Sequence, residues 1–415
     1  MASWFALLTG CVVFGAAVVA ALVLPRATAP LANITGLAGL VGALSAFGTI
    51  STRYASFEAV SAAVIVLLAG TAAGFAVAAA ALPHLAPRPR PVTMLRPQDS
   101  SPLDAIVLLA CAEPERYDPR AVALRQNLLA ESAEIEVPAT ALPFVFYADK
   151  ARYRAVGGHS PGSSVTRELV RRTAACLGEA ADRVELAWSH DPMSLAHTIA
   201  RLSSEGAARV GVVVLGASDS AQLDEAHVIL DRSLREGHGP DVIFGPPIWN
   251  DRRLPERLTE RVLAVTSGAA PEDVGVVLVD PGLPPVWERR YAGAENVENY
   301  FDQRVRMLLC EAGLTEQHVR IAWLDWQAPD VTEAVRHLAA LGCTRVVVAV
   351  ATIALPTLET ALDLGHAITM ARVPDSVHVV TLAPWNDDDA FVEAVCSSAL
   401  QALGSASRAQ TGATT

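Results

Sequence analysis

The chain repeats itself. Arg183–Trp188 (RVELAW) is echoed by His318–Trp323 (HVRIAW), and Glu205–Val214 by Leu341–Val350. Asp224-x-x-His227 returns as Asp363-x-x-His366, and Trp249-Asn250-Asp251 as Trp385-Asn386-Asp387. These ordered matches describe an internal duplication. Each copy alternates short apolar runs with helical periodicity. Strands are expected at 105–110, 184–188, 209–215 and 242–244, and again at 274–279, 319–323, 346–351 and 377–382. Such alternation specifies parallel sheets with helices on both faces. The segment around Pro138 and Pro143 reads as irregular, and Tyr153–Pro161 (YRAVGGHSP) as a glycine turn. A cleft between two α/β halves is a preferred ligand position.

The stretch Thr344–His366 concentrates the candidate chemistry. A buried strand there leads through a loop to Glu359, in the first turn of a helix expected over 358–370. Ligands bind outside the carboxyl ends of strands in such sheets. A carboxylate there also suits the helix dipole without any chemistry. Asp363, four residues on, shares its helix face, so that two carboxylates stand together, as on a solvated acidic face.

The first hundred residues read differently. Three uncharged apolar runs, 4–24, 31–50 and 59–82, are long enough to cross a bilayer, with two spans the alternative. Ala38, Gly42 and Ala46 show the small-xxx-small spacing of close helix packing. Arg88, Arg90 and Arg96 follow the last run, which places the large domain in the cytoplasm, with Arg26 on the same side. Six scattered cysteines form no CxxC pair, as a reducing compartment allows. A net charge of −12 without a basic block argues against nucleic acid. The expected divisions are membrane region 1–82, linker 83–102, halves 103–267 and 268–405, and a disordered tail 406–415. Removing residues 1–100 is expected to leave a folded soluble domain.

Over about residues 104–403 the chain resembles the ferrochelatases. AIVLLACAEP matches the family's opening strand and turn, YRAVGGHSP its Gly-Gly-x-Ser-Pro segment, Pro281-Gly282-Leu283-Pro284 its His-Gly-Leu-Pro, and Glu359-Thr360 its Glu-Thr. The resemblance implies two Rossmann-like, chelatase-like half-domains. It also implies insertion of Fe2+ into a porphyrin, with a tetrapyrrole and the membrane as partners and a membrane protein as a possible recipient. Metal insertion needs a base for the pyrrole protons and a donor that holds Fe2+ without trapping it. Glu359 is then base or ligand. The family's His is replaced by Pro281, with Asp280 beside it as the substitute carboxylate. Cys111 and Asp363 are candidate metal donors. Arg152, Arg154, Gly157, Gly158, Ser160, Pro161, Gly282 and Pro284 are the expected substrate-binding set, although the glycines equally mark turns. Glu359 and Cys111 are expected to line one cleft. The alternative is a catalytically degenerate homologue that holds haem or a porphyrin as carrier or sensor.

Overall fold

The computed structural model describes all residues except 1, 26–27, 55, 91, 96–101, 218–220, 236–238, 291 and 413–415; side chains are also left undescribed at 192, 221–222, 288, 292–298 and 405–412. Arg26 and Arg96 thus lie outside the described residues. The chain forms two compact units, 1–88 with 116–159, and 89–115 with 160–415.

The first unit begins with α1 (Ala2–Val23), α2 (Ala29–Tyr54) and α3 (Phe57–Ala80). All three are long and apolar enough to span a membrane. Glycines bring them together: a Cβ on Gly10 would sit 2.6 Å from the Gly39 carbonyl oxygen, and one on Gly74 would run into the backbone of Val12. The inner face of α2 is Ala32, Gly36, Gly39, Ala43, Ala46 and Ile50. Of the expected triplet only Ala46 is inside. Ala38 and Gly42 face outward, because the closest glycine–glycine approach selects the neighbouring stripe.

The same unit holds α4 (Pro119–Ala133) and α5 (Leu142–Ala155). The sequence reads α5 as irregular, yet Pro143 merely occupies its first turn, where no N–H is missed. Its buried side includes Asp149, Lys150 and Tyr153 beside Leu142 and Phe146, so no apolar stripe announces it. Lys150 Nζ donates to the carbonyls of Ala21 (2.9 Å) and Leu22 (3.3 Å), and the Tyr117 hydroxyl to Val23 (2.7 Å). A cation and a hydroxyl thereby satisfy the last carbonyls of α1. Burial, then Arg154, lowers the Lys150 pKa. Val122, Ala123, Leu142 and Phe146 pack with Val19, Val23, Ala79 and Leu82 in one apolar cluster.

The second unit contains β1 (Leu103–Ala110), α6 (Gly162–Leu177), β2 (Arg183–Trp188), α7 (Pro192–Ser204), β3 (Ala207–Val214), α8 (Ala221–Arg235), β4 (Asp241–Phe244) and α9 (Arg253–Thr266). Its second half contains β5 (Val274–Asp280), α10 (Pro285–Arg290), α11 (Ala292–Glu311), β6 (Val319–Trp323), α12 (Val331–Ala340), β7 (Arg345–Val350), α13 (Leu364–Met370), β8 (His378–Leu382) and α14 (Asp389–Gly412). The strands form two four-stranded parallel sheets, β2-β1-β3-β4 and β6-β5-β7-β8, of identical order. The duplication is therefore architectural, and every expected strand is present. The helix of α14 continues to Gly412, past the boundary drawn at 405, and residues 413–415 lie outside the described residues.

One core joins the sheets. It contains Leu108 and Val213 from the first, Leu278 and Val347 from the second, and residues of α6, α9, α11 and α14. At its centre the repeated motif meets itself: Trp249 and Trp385 are each 1% exposed, with ring centroids 6.0 Å apart. Helices are also exchanged. α14 packs on β3 and β4, while α9 packs on β7 and β8. A boundary at 267/268 follows the chain but not the packing. Part of the expected linker is core as well, since Met94 is fully buried against the first sheet with Leu195 and Leu230.

Candidate active site

All strands of each sheet are parallel, so their carboxyl ends share an edge, and the candidate residues follow β1, β5 and β7. The β7 loop is fixed from three directions. Ala351 N donates to the Val279 carbonyl (2.9 Å), Trp385 Nε1 to the Ala351 carbonyl (2.6 Å), and Asn386 N to the Ala354 carbonyl (2.9 Å). Thr357 and Thr360 close the helix start reciprocally, each backbone N–H donating to the other's Oγ1 at 2.8 and 3.2 Å. A π turn, Glu359–Asp363, connects this start to α13, with Leu364 N donating to the Glu359 carbonyl. Such turns widen a helix and recur at functional sites. Glu359 is half-buried, while Asp363 and His366 are exposed.

The β1 loop meets this turn. Glu113 Oε1 accepts from Ser160 Oγ (2.6 Å) and from Leu358 N (3.2 Å), the residue before Glu359. Ser160 N donates to the Glu115 carbonyl (2.8 Å). Gly162 abuts the Pro356 carbonyl, which a Cβ would approach to 2.7 Å. The segments carrying Cys111, Ser160-Pro161 and Glu359 are thus brought together. Cys111 is half-buried and Ser160 is 6% exposed. His190, at the end of β2, shares a 2.6 Å hydrogen bond between Nδ1 and the Ala112 carbonyl.

Asp280 does not reach the surface. It is 1% exposed, and Oδ1 accepts from the amide (3.2 Å) and the hydroxyl of Thr352. Asp302 of α11, also 1% exposed, hydrogen-bonds the same carboxyl. A hydrogen bond between two carboxyls requires a shared proton. Burial accordingly raises the Asp280 pKa, and the bonds from Asp302 and Thr352 offset part of that rise. The expectation of Asp280 as an accessible substitute carboxylate is therefore overturned: it is a buried anchor.

Backbone geometry fixes the loop after β5. Gly282 has φ +80, and a Cβ there would run into the Asp325 carbonyl oxygen. Leu324 N and Asp325 N donate to the carbonyls of Asp280 (3.0 Å) and Pro281 (3.2 Å), and Leu283 N to Gln327 Oε1 (3.0 Å). Pro284 is buried beside Leu283. Gly157 and Gly158 have φ +88 and +93 and end α5, with Gly158 N donating to the Tyr153 carbonyl at 2.7 Å. Arg152 lies 3.6 Å from Asp149, which also pairs with Arg125 at 2.9 Å, while Arg154 is exposed. Both arginines belong to the first unit. Among the described residues no group of three or more His, Cys, Asp or Glu is arranged to hold a metal.

Two carboxylates escaped the sequence reading. Glu113 lies beyond the end of β1, and the register of the duplication matches Asp280 to Ala110 instead, so the repeat does not mark it. Asp302 stands three residues before Val305 and seven before Leu309 on a buried helix face, an acidic residue in an apolar stripe.

Paired parallel sheets of identical order, with candidate chemistry in the loops at their carboxyl ends, define a duplicated α/β protein. The sequence matches the ferrochelatase family model over residues 104–403, and the chain belongs to that family, whose chemistry is metal insertion into tetrapyrroles. No curated protein matches it. Solved structures similar to it include SirB from Bacillus subtilis with Fe3+, at 14% identity, covering 73% of this chain and 98% of that one, TM-score 0.45. The sirohydrochlorin chelatase SirB from Bacillus subtilis subspecies spizizenii in complex with cobalt is 11% identical, covering 73% and 96%, TM-score 0.44.

Proposed function

We propose that the protein is a membrane-anchored metal insertase that places Fe2+ into a porphyrin to give haem. The observation that supports this is the half-buried Glu359 on a π turn, tied through Leu358 and Glu113 to the loop that carries Cys111. As the metal enters the ring, two pyrrole N–H protons leave. Glu359 accepts one, or ligates the incoming ion, and the protons it does not take pass to solvent; a carboxylate does either without trapping the metal. Asp363, exposed one turn on, and Cys111 are the further donors on the metal's path. Asp280 acts from below, positioning the β7 loop through Thr352.

A second reading has one observation in its favour. Pro281 offers neither base nor ligand, its carbonyl is taken by Asp325, and Asp280 is buried. A protein that keeps the fold and loses the base would hold a tetrapyrrole as carrier or sensor. Absorbance titration of the full chain in lipid nanodiscs separates the two. The insertase reading expects porphyrin binding followed by conversion to metalloporphyrin on adding Fe2+ or Zn2+. Haem or porphyrin binding without conversion selects the carrier, and binding of neither overturns both.

A further inference from the structure

The segment between Glu115 and Ser160 leaves the second unit and returns to it at adjacent points, since Ser160 N donates to the Glu115 carbonyl at 2.8 Å. Its helix α5 lies against α1, and α4 against the short turn Leu82–Leu85 that follows α3. Phe146 shares a cluster with Val19 and Ala79, and the ring of Phe144 stands 6.2 Å from that of Phe75. Phe75 is five residues inside the end of α3, so about 7 Å of helix rise separates it from that end. A side chain at that depth is level with the apolar stretch of a span.

The outward side of α5 fits such a position. It carries Phe144, Tyr147, Ala151 and Arg154 at spacings of three, four and three residues, one helix face. Phe144 is 59% and Tyr147 43% exposed, and Arg154 is exposed further along the same face. Aromatic rings followed by an arginine suit the boundary between acyl chains and headgroups, where rings sit and a guanidinium reaches outward. The opposite side of α5 is closed by Lys150 and Phe146 against α1.

We propose that α5 is an interfacial membrane helix, its Phe144–Tyr147 face buried in the headgroup–acyl boundary of the bilayer that α1–α3 cross. The occupant of this face is lipid. This rests on reading α1–α3 as spans. It gives the β1-to-α6 connection, whose two ends border the candidate site, a seat in the membrane.

The test is photocrosslinking of the full chain in vesicles of phosphatidylcholine and phosphatidylglycerol, with p-benzoylphenylalanine at one position at a time. Phe144→p-benzoylphenylalanine and Tyr147→p-benzoylphenylalanine are compared with Leu68, exposed on α3, and Glu179, exposed in the second unit. The expected result is a lipid adduct at 144 and 147 comparable with that at 68 and at least about tenfold above that at 179, the contrast between a boundary position and water. Adducts at 68 but not at 144 or 147 overturn the proposal. So does a protein–protein adduct at 144 or 147, which would mean that another chain covers the face. No lipid adduct at 68 overturns the spanning helices themselves, and the proposal with them.

Discussion

Asp280 shows how far a single residue can be misjudged from its position. It ends β5 at the sheet edge where ligands are expected, yet its carboxyl is sealed beneath the loops with Thr352 and Asp302. Its raised pKa has a sign that can be measured. Below the ordinary carboxylate value, about 4, folded and unfolded chains both hold the proton. Above it the unfolded chain loses the proton first, so stability falls as pH rises toward the raised folded value. Asp280→Asn should flatten that slope in denaturation measured across pH while leaving the fold intact. Gly282 makes the opposite point, because its place in a family-like motif is explained by backbone alone. Gly282→Ala should cost about 1–3 kcal/mol in thermal or chemical denaturation, from the left-handed φ and the blocked approach to Asp325.

At the scale of elements, the loop-to-helix junction around Leu358 is held by Glu113. Glu113→Ala strands the Leu358 amide and the Ser160 hydroxyl, each a buried or half-buried donor. It should cost about 1–3 kcal/mol and speed hydrogen exchange at the Leu358 amide while the strands stay protected. Unchanged exchange there would mean that Glu113 is not the tie. The strands were legible because β-branched runs bounded by turns have few alternatives, and the repeat fixed their pairing by analogy. α5 was not legible, since its buried face includes an aspartate and a lysine, and the lysine's partners lie far away in the chain. Nor was the π turn, which depends on the Thr357–Thr360 exchange and the packing of Pro356 on Gly162. Glu359 was found by motif and position. Glu113 needed contacts that no local pattern records, and Asp302, though an acidic residue in an apolar stripe, has its carboxyl partner in another element.

For the whole molecule, the division into units changes what a truncation should do. Removing residues 1–100 leaves Val122, Ala123, Leu142 and Phe146 without the helices they pack on, and Lys150 without the α1 carbonyls. It also removes Met94 from the core of the first sheet. Contrary to the expectation from sequence, that fragment should aggregate or require detergent. A chain starting at Pro89, with 116–159 excised and Glu115 joined to Ser160 through a short linker, should instead be soluble and monodisperse by light scattering. The reverse pattern would contradict the division.

The measurement closest to the central claim is metal insertion by Glu359→Gln, in the full chain in nanodiscs, followed by porphyrin absorbance after adding Zn2+ or Fe2+. The variant is expected to bind porphyrin as the parent does and to insert metal at least about a hundredfold more slowly, the loss expected for a missing general base. A variant that inserts metal at the parent's rate would contradict that claim, and the chemistry would then lie elsewhere than the β7 loop.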